Sequence, residues 1–333
     1  MVCEQSMILW SMLMKGYRGQ QKARMLDLRR FREAVCSTQI AKYLGCEHCG
    51  KSVDLQSVSS LNDAAPGSLF FMSNYDPESM VKDAVCIVPV EARDQIIPGF
   101  TYILSKSPKL DFAKVIQGFL TNNDVEEDGA SGRAIVHSKA KLGENVRLGS
   151  GSVIEEGAQI GDGTYIGANV VIKRGVTIGK NCVISDGAII GNDGLTIVRD
   201  QNGVPIPMRH IGGLHIGNSV EIGPNSTIGR ATLGMAIIGD HVKIGPQVNV
   251  GHNGCIEKDV IITGCASIAG GVIIGEKSWL GTNCSIKQKI RIGKECVIGM
   301  GACVVRDIPD GQVYSAFPAM PIRQLQQLRR KVL

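Results

Sequence analysis

Aromatic residues are scarce in this 333-residue chain: Phe, Trp and Tyr together make up 5%, so its core is not built on large rings. A membrane-spanning run is also missing. The longest early apolar stretch, Met7 to Met14, is broken by Ser11 and falls far short of the ~20 residues that cross a bilayer. Glycine is plentiful at 41 residues, yet no G-X-Y period appears, which excludes collagen. Cys46 and Cys49 form one C-x-x-C with no second pair at metal-ligand spacing, so no metal site is expected. Charge of either sign is modest, and the net of +5 is a poor footprint for nucleic acid while leaving room for an anionic partner. With 44% hydrophobic residues the chain is too apolar to be disordered and long enough for two domains.

What the chain does have is a repeat. From Val136 to Ile190 an aliphatic residue recurs every six positions, Ile216, Ile222 and Ile228 resume the period, and Ile238 to Val304 carry it on for twelve positions. Period six fits neither a heptad nor a free helix. Three short strands per turn explain it, giving a triangular parallel β-helix of about eight coils stacked ~4.8 Å apart. One aliphatic per hexad points inward, and the glycine that often follows (Gly161, Gly245, Gly275) is expected to let the backbone bend at the corner. Cys182, Cys255, Cys265, Cys284, Cys296 and Cys303 fall inside this repeat as small hydrophobes, which points to a reduced, cytoplasmic setting. Residues 191–215 break the register with Pro205 and Pro207 and read as a loop leaving one corner, placed to wall a substrate groove. Gly234 to Ala236 make a shorter insertion.

The flanks divide the rest. Residues 1–36 read as a basic arm outside both domains; they fit an organelle transit peptide and equally a start nearer Met25. Residues 37–120 read as a small α/β domain, with Thr38 capping a helix that Gly45 ends, strands at Leu69–Met72, Ala84–Val90 and Phe100–Leu104, and a helix from Phe112 to Leu120. Residues 121–133 are a polar linker, 134–306 the β-helix, and 307–333 an extension whose end, from Ile322, reads as a basic helix. Its Arg323, Arg329, Arg330 and Lys331 suit either solvent or an acidic carrier protein.

Candidate chemistry sits at one corner. His252 follows Val250-Gly251 and points outward; Gly270 lies eighteen residues on, one coil above on the same face. A general base beneath a backbone N–H donor is the minimal equipment for acyl transfer, and no serine or cysteine nucleophile is needed if the acceptor itself attacks.

Several separate stretches resemble the UDP-3-O-acylglucosamine N-acyltransferase family of lipid A biosynthesis, over about residues 37–325. They are SSLNDAAPGSLFFMSN (59–74), IIGNDG (189–194), HIGGLHIGNSVEIGPNSTIGR (210–230), NVGHNGC (249–255), GCASIAGG (264–271) and GMGACVVRDIPDGQVYSAFPAMPIR (299–323). The resemblance implies a mainly β fold, a left-handed triangular parallel β-helix preceded by a small α/β domain and followed by a C-terminal helix. It implies a homotrimer, at most peripherally membrane-associated, with no cofactor beyond the phosphopantetheine thioester of acyl carrier protein. The donor would be a hydroxyacyl chain on that carrier and the acceptor the 2-amine of a UDP-linked glucosamine. His252 would be the general base, Gly270 the oxyanion donor, Phe71 and Asn74 uracil contacts, and Asn253 and Lys289 substrate contacts. For Phe71, packing inside the domain is the competing reading.

The sequence departs from the family pattern in four places. Gly245 and Pro246 replace an aspartate–asparagine pair seven residues before the histidine, Lys289 replaces a histidine, Pro77 replaces a stacking tyrosine (with Tyr75 two residues earlier), and Gly229 replaces an aspartate. Loss of the carboxylate is expected to leave the imidazole tautomer less well fixed. These departures keep two other functions open: a sugar acetyltransferase using acetyl-CoA, and a non-catalytic paralogue that retains nucleotide-sugar binding.

Overall fold

A computed structural model describes residues 29–120 and 134–316. The arm up to residue 28, the linker 121–133 and the basic C-terminal stretch lie outside the described residues, and with them Arg323, Arg329, Arg330 and Lys331. The chain divides into two compact units on either side of Asn123 and Asp124.

The first unit is a six-stranded sheet with two helices. In chain order it contains β1 (Arg30–Cys36), α1 (Ser37–Leu44), β2 (Glu47–Cys49), β3 (Asp54–Val58), β4 (Ser68–Phe71), β5 (Val85–Pro89), β6 (Thr101–Ser105) and α2 (Pro108–Val115). Strands β3 to β6 run parallel, while β1 and β2 close the two edges antiparallel. Parallel strands are covered on both faces, so their residues are apolar in both directions. Leu69, Val85, Ile87 and Ile103 pack with Ile40 of α1 and Val115 of α2, while Phe70, Cys86, Val88 and Tyr102 form the opposite layer.

Two expectations need correction here. Residues 30–36 belong not to the arm but to the sheet: β1 pairs with β3 through Val35↔Leu55 and Cys36↔Asp54. The strand is hard to see in sequence because Val35 is its one buried apolar residue among those with described side chains. Cys36, not Thr38, caps α1, its N–H donating to Gln39 Oε1 at 2.8 Å. Gly45 ends that helix in the left-handed region at φ +66°. Helix α2 starts at Pro108, which favours a first helical position, and passes into a wider turn over Ile116–Leu120.

The second unit is a β-helix with three faces of nine, eight and nine short parallel strands. The first face runs from Ile135–Val136 to Cys303–Val304, the second from Lys141–Leu142 to Arg291–Ile292, the third from Arg147–Leu148 to Val313–Tyr314. Register is eighteen residues per coil, as in Val153↔Val171 and Ile262↔Leu280. In the two-residue strands between Val153–Ile154 and Cys303–Val304 the second residue points inward. Ile154, Ile172, Ile190, Ile228, Val250, Ile268 and Ile286 form one such buried column. Small residues such as Ser152, Ala158, Thr164 and Cys182 fill the space between columns.

The glycine after each aliphatic serves a different purpose from the one expected. Gly161, Gly245 and Gly275 do not take positive φ; a Cβ on any of them would lie 2.5–2.7 Å from backbone of the next coil. They are required because the coils approach so closely. Positive φ falls two residues further on, at Gly163, Gln247 and Lys277.

Both insertions leave from the corner between the first and second faces. Residues 191–212 run out into a hairpin of Ile197–Arg199 paired with Pro205–Pro207, so that Ile189 finds Thr227 as its partner in the next coil. One coil on, residues around Leu233 form the shorter insertion at the same corner, and Thr227 pairs with Asn249. The next three corners of that column carry His252, Gly270 and Lys289.

Candidate active site

Stacking of corners brings distant residues together. His252, half-buried, lines a cleft of about 840 Å³ with Asp193, Gly194 and Thr196 of the loop, and with Gly270 and Lys289 from the coils above. The ring is boxed in by glycines. A Cβ at Gly194 would lie 2.5 Å from His252 Cδ2, and a Cβ at Gly270 would lie 2.5 Å from Nε2. Position 270 is therefore glycine because the imidazole edge occupies the space a side chain would need. The N–H of the following residue, Gly271, donates to the His252 carbonyl at 2.7 Å, which holds the two coils in this registry. Among the described residues nothing accepts a hydrogen bond from the Gly270 N–H.

The ring nitrogens can be assigned from the hydrogen bonds. His252 Nδ1 lies 2.8 Å from Asn253 Oδ1. That same oxygen accepts from the Thr232 backbone N–H at 3.0 Å and from Thr232 Oγ1 at 2.9 Å. A backbone N–H can only donate, so the shared atom is the amide oxygen, and Nδ1 must carry the hydrogen. Nε2, beside Gly270, is left with the lone pair a base needs. The tautomer expected to be loose at Gly245 is thus held by Asn253 and Thr232. Gly245 sits at a different corner, between the third and first faces, where a Cβ would meet Gly264 N at 2.7 Å.

One face of His252 is covered by a second histidine. The His210 ring stacks on it at 4.9 Å between centroids and 26° between planes. His210 is 3% exposed, and its Nε2 lies 3.1 Å from Thr196 Oγ1. Burial, then the neighbouring His252, pull its pKa below the ordinary imidazole value, with Asp193 opposing. Lys289 is exposed in the same cleft at φ +59°, free to meet an anion as a point charge.

Neither Thr232 nor His210 stood out in the sequence. Thr232 meets Asn253 at an offset of 21, not 18, because of the shorter insertion, and His210 arrives on the returning limb of the long loop. The only advance signal was that both insertions leave from the corner that carries His252.

The remaining expected residues lie in the first unit. Phe71 is half-buried with its ring 5.0 Å from that of Phe112, so packing already uses part of its surface. Asn74 is exposed. Tyr75 packs edge-on to Tyr102, their rings 6.0 Å apart, and their hydroxyls lie 3.3 Å apart. It is therefore anchored within the domain and not displayed in place of the tyrosine missing at Pro77. Among the described residues no group of three or more His, Cys, Asp or Glu side chains is arranged to hold a metal. No helix among them is long and apolar enough to cross a membrane.

Comparison with known proteins agrees with the repeat and narrows it. The bacterial transferase hexapeptide profile (six repeats) matches residues 139–174 and 157–192, and the hexapeptide repeat of succinyl-transferase matches 271–306. A UDP-3-O-acylglucosamine N-acyltransferase of Delftia acidovorans is 33% identical, covering 90% of this chain and 94% of its own. One from Campylobacter lari is 32% identical, covering 89% and 97%. Among solved structures, the UDP-N-acetylglucosamine O-acyltransferase of Moraxella catarrhalis superimposes with a TM-score of 0.52 at 23% identity, over 60% of this chain and 76% of its own, which shows the shared fold. The end-to-end matches at above 30% identity include the first unit as well as the repeat, and the chain belongs to the UDP-3-O-acylglucosamine N-acyltransferase family, enzymes that transfer an acyl group to nitrogen.

Proposed function

We propose that the chain transfers a hydroxyacyl group from acyl carrier protein to the 2-amine of a UDP-3-O-acylglucosamine, a step of lipid A biosynthesis, with His252 as general base. The observation that carries this reading is the His252 ring, with Nδ1–H committed to Asn253 and the Nε2 lone pair beside Gly270 in a cleft. The amine nitrogen attacks the thioester carbonyl and a C–N bond forms. Nε2 takes the amine proton, and the Gly270 N–H faces the oxyanion as it develops. Collapse breaks the C–S bond, and the thiolate leaves with the proton that Nε2 returns. Lys289 is suited to a phosphate of the nucleotide, and Phe71 and Asn74 to its base. The carrier would dock on the basic C-terminal residues, and the working form would be a homotrimer in the cytoplasm.

The experiment is a donor comparison on UDP-3-O-acylglucosamine, with hydroxyacyl carrier protein in one arm and acetyl-CoA in the other. Amide product from the carrier arm is expected. Product from acetyl-CoA alone would make the chain an acetyltransferase, and nucleotide-sugar binding without product in either arm would make it a non-catalytic paralogue.

A further inference from the structure

A second cleft, of about 870 Å³, opens at the base of the long loop, and His210 is part of its wall. We infer that it is a binding site for a phosphate group, which adjoins the cleft that holds His252 and shares Asn192 and Asp193 with it.

Three observations converge. First, His210 is 3% exposed and its Nδ1 is buried with no hydrogen-bond partner. With the Thr196 hydroxyl donating to Nε2, Nδ1 carries the proton and is a buried donor without an acceptor, which a ligand oxygen can supply. Second, the cleft holds unspent positive charge. Glu155 is paired with Lys173 at 2.6 Å, Glu156 with Lys139 at 2.6 Å, and Asp193 stands 3.8 Å from Arg230. Arg209 is exposed and forms no ion pair among the described residues. Arg174, also exposed, lies near Glu155, which accepts its backbone N–H at 3.1 Å, but its guanidinium makes no direct ion pair there because Lys173 holds that carboxylate. Third, the floor is rigid. Arg230, 5% exposed, donates through Nε to the Gly191 carbonyl at 2.6 Å and through its guanidinium to the Arg174 carbonyl. This ties the base of the loop to the backbone of Arg174.

The other buried orphan here is Asn192 Oδ1, which lacks a donor. A carboxylate offers only acceptors. A monohydrogen phosphate offers acceptors for His210 and the two guanidiniums and one hydroxyl for Asn192, so it answers both orphans. The site does not depend on the acyl-transfer reading, because neither His252 nor Lys289 belongs to it.

Crystals of the full chain soaked in sodium tungstate, a tetrahedral oxyanion that scatters anomalously, test the proposal directly. The expected result is a tungsten peak within hydrogen-bonding reach of His210 Nδ1 and of Arg174 or Arg209. Inorganic phosphate should displace it and acetate should not. The exposed double variant Arg174→Ala/Arg209→Ala, which leaves the core untouched, should abolish the peak. By calorimetry, that variant should also weaken phosphate binding by at least about tenfold, for the loss of charge-assisted hydrogen bonds. An empty cleft, a peak confined to the His252 side, a peak undiminished in the double variant, displacement by acetate as readily as by phosphate, or a carboxylate of a second copy filling the space would each overturn it.

Discussion

Asn253 offers the sharpest perturbation of the site. It sits at φ +58°, so alanine there would add backbone strain to the loss of the side chain. Asn253→Gly removes the amide without that cost. Three hydrogen bonds vanish: two from Thr232 and one from His252 Nδ1. Thr232 is half-buried, but its hydrogen bonds to Asn253 are solvent-exposed and the freed donors turn to water, so stability should change little. The imidazole loses the acceptor that sets its tautomer. One such bond contributes about 1–1.5 kcal/mol, or roughly tenfold, and orienting partners of this kind typically matter by about 10–100-fold. We therefore expect kcat to fall by about 10–100-fold in a steady-state assay, with KM for the nucleotide sugar nearly unchanged and the unfolding midpoint kept. Asn253→Asp should recover most of the rate, since a carboxylate oxygen also accepts from Thr232 N–H and from Nδ1–H. A wild-type kcat in Asn253→Gly would refute the positioning argument. A raised KM at constant kcat would show that Asn253 serves the substrate instead.

Other outcomes follow from the same geometry. Gly270→Ala places a Cβ 2.5 Å from His252 Nε2. It should fold normally and lose about 10²–10⁴ in kcat, because the methyl group pushes the general base out of place while the backbone N–H remains, with circular dichroism as the control. Ile262, 1% exposed in the third-face column, should destabilise the β-helix by about 2–5 kcal/mol as Ile262→Ala in denaturant unfolding. His210 binds its proton less readily folded than unfolded, chiefly through burial. Below its ordinary value of 6.5 the unfolded chain takes up a proton that the folded chain resists, so this contribution to stability is present above that pH and is lost as pH falls towards the lowered folded value. His210→Gln should flatten that part of the acid-side decline in thermal unfolding midpoints; an unchanged slope would contradict it.

How much of this could be read in advance depended on whether the residue offset was regular. Isoleucines six apart can point to one axis only if the chain turns three times per eighteen residues, so the β-helix and the placement of Gly270 above His252 were legible. Residues 191–215 were legible as an excursion because the aliphatic register fails there. The tertiary consequences of the insertions were not. Thr232 reaches Asn253, and His210 reaches His252, across offsets that depend on how far each loop travels before it returns. The misread glycines are instructive in the same way. Gly161 and Gly245 follow an aliphatic as a bend would require, yet what excludes a side chain is the neighbouring coil, a contact eighteen or nineteen residues away. In the first unit, β1 escaped notice because an edge strand that buries only Val35 lacks the apolar run that revealed β4, β5 and β6.

The account stands on His252 removing the proton of the attacking amine. Single-turnover acyl transfer by His252→Ala, whose half-buried ring can be removed without opening the core, measures this most directly. A rate at least about a hundredfold below wild type, in a protein that still binds the nucleotide sugar, is the predicted result. An undiminished rate would mean that some other group takes the proton.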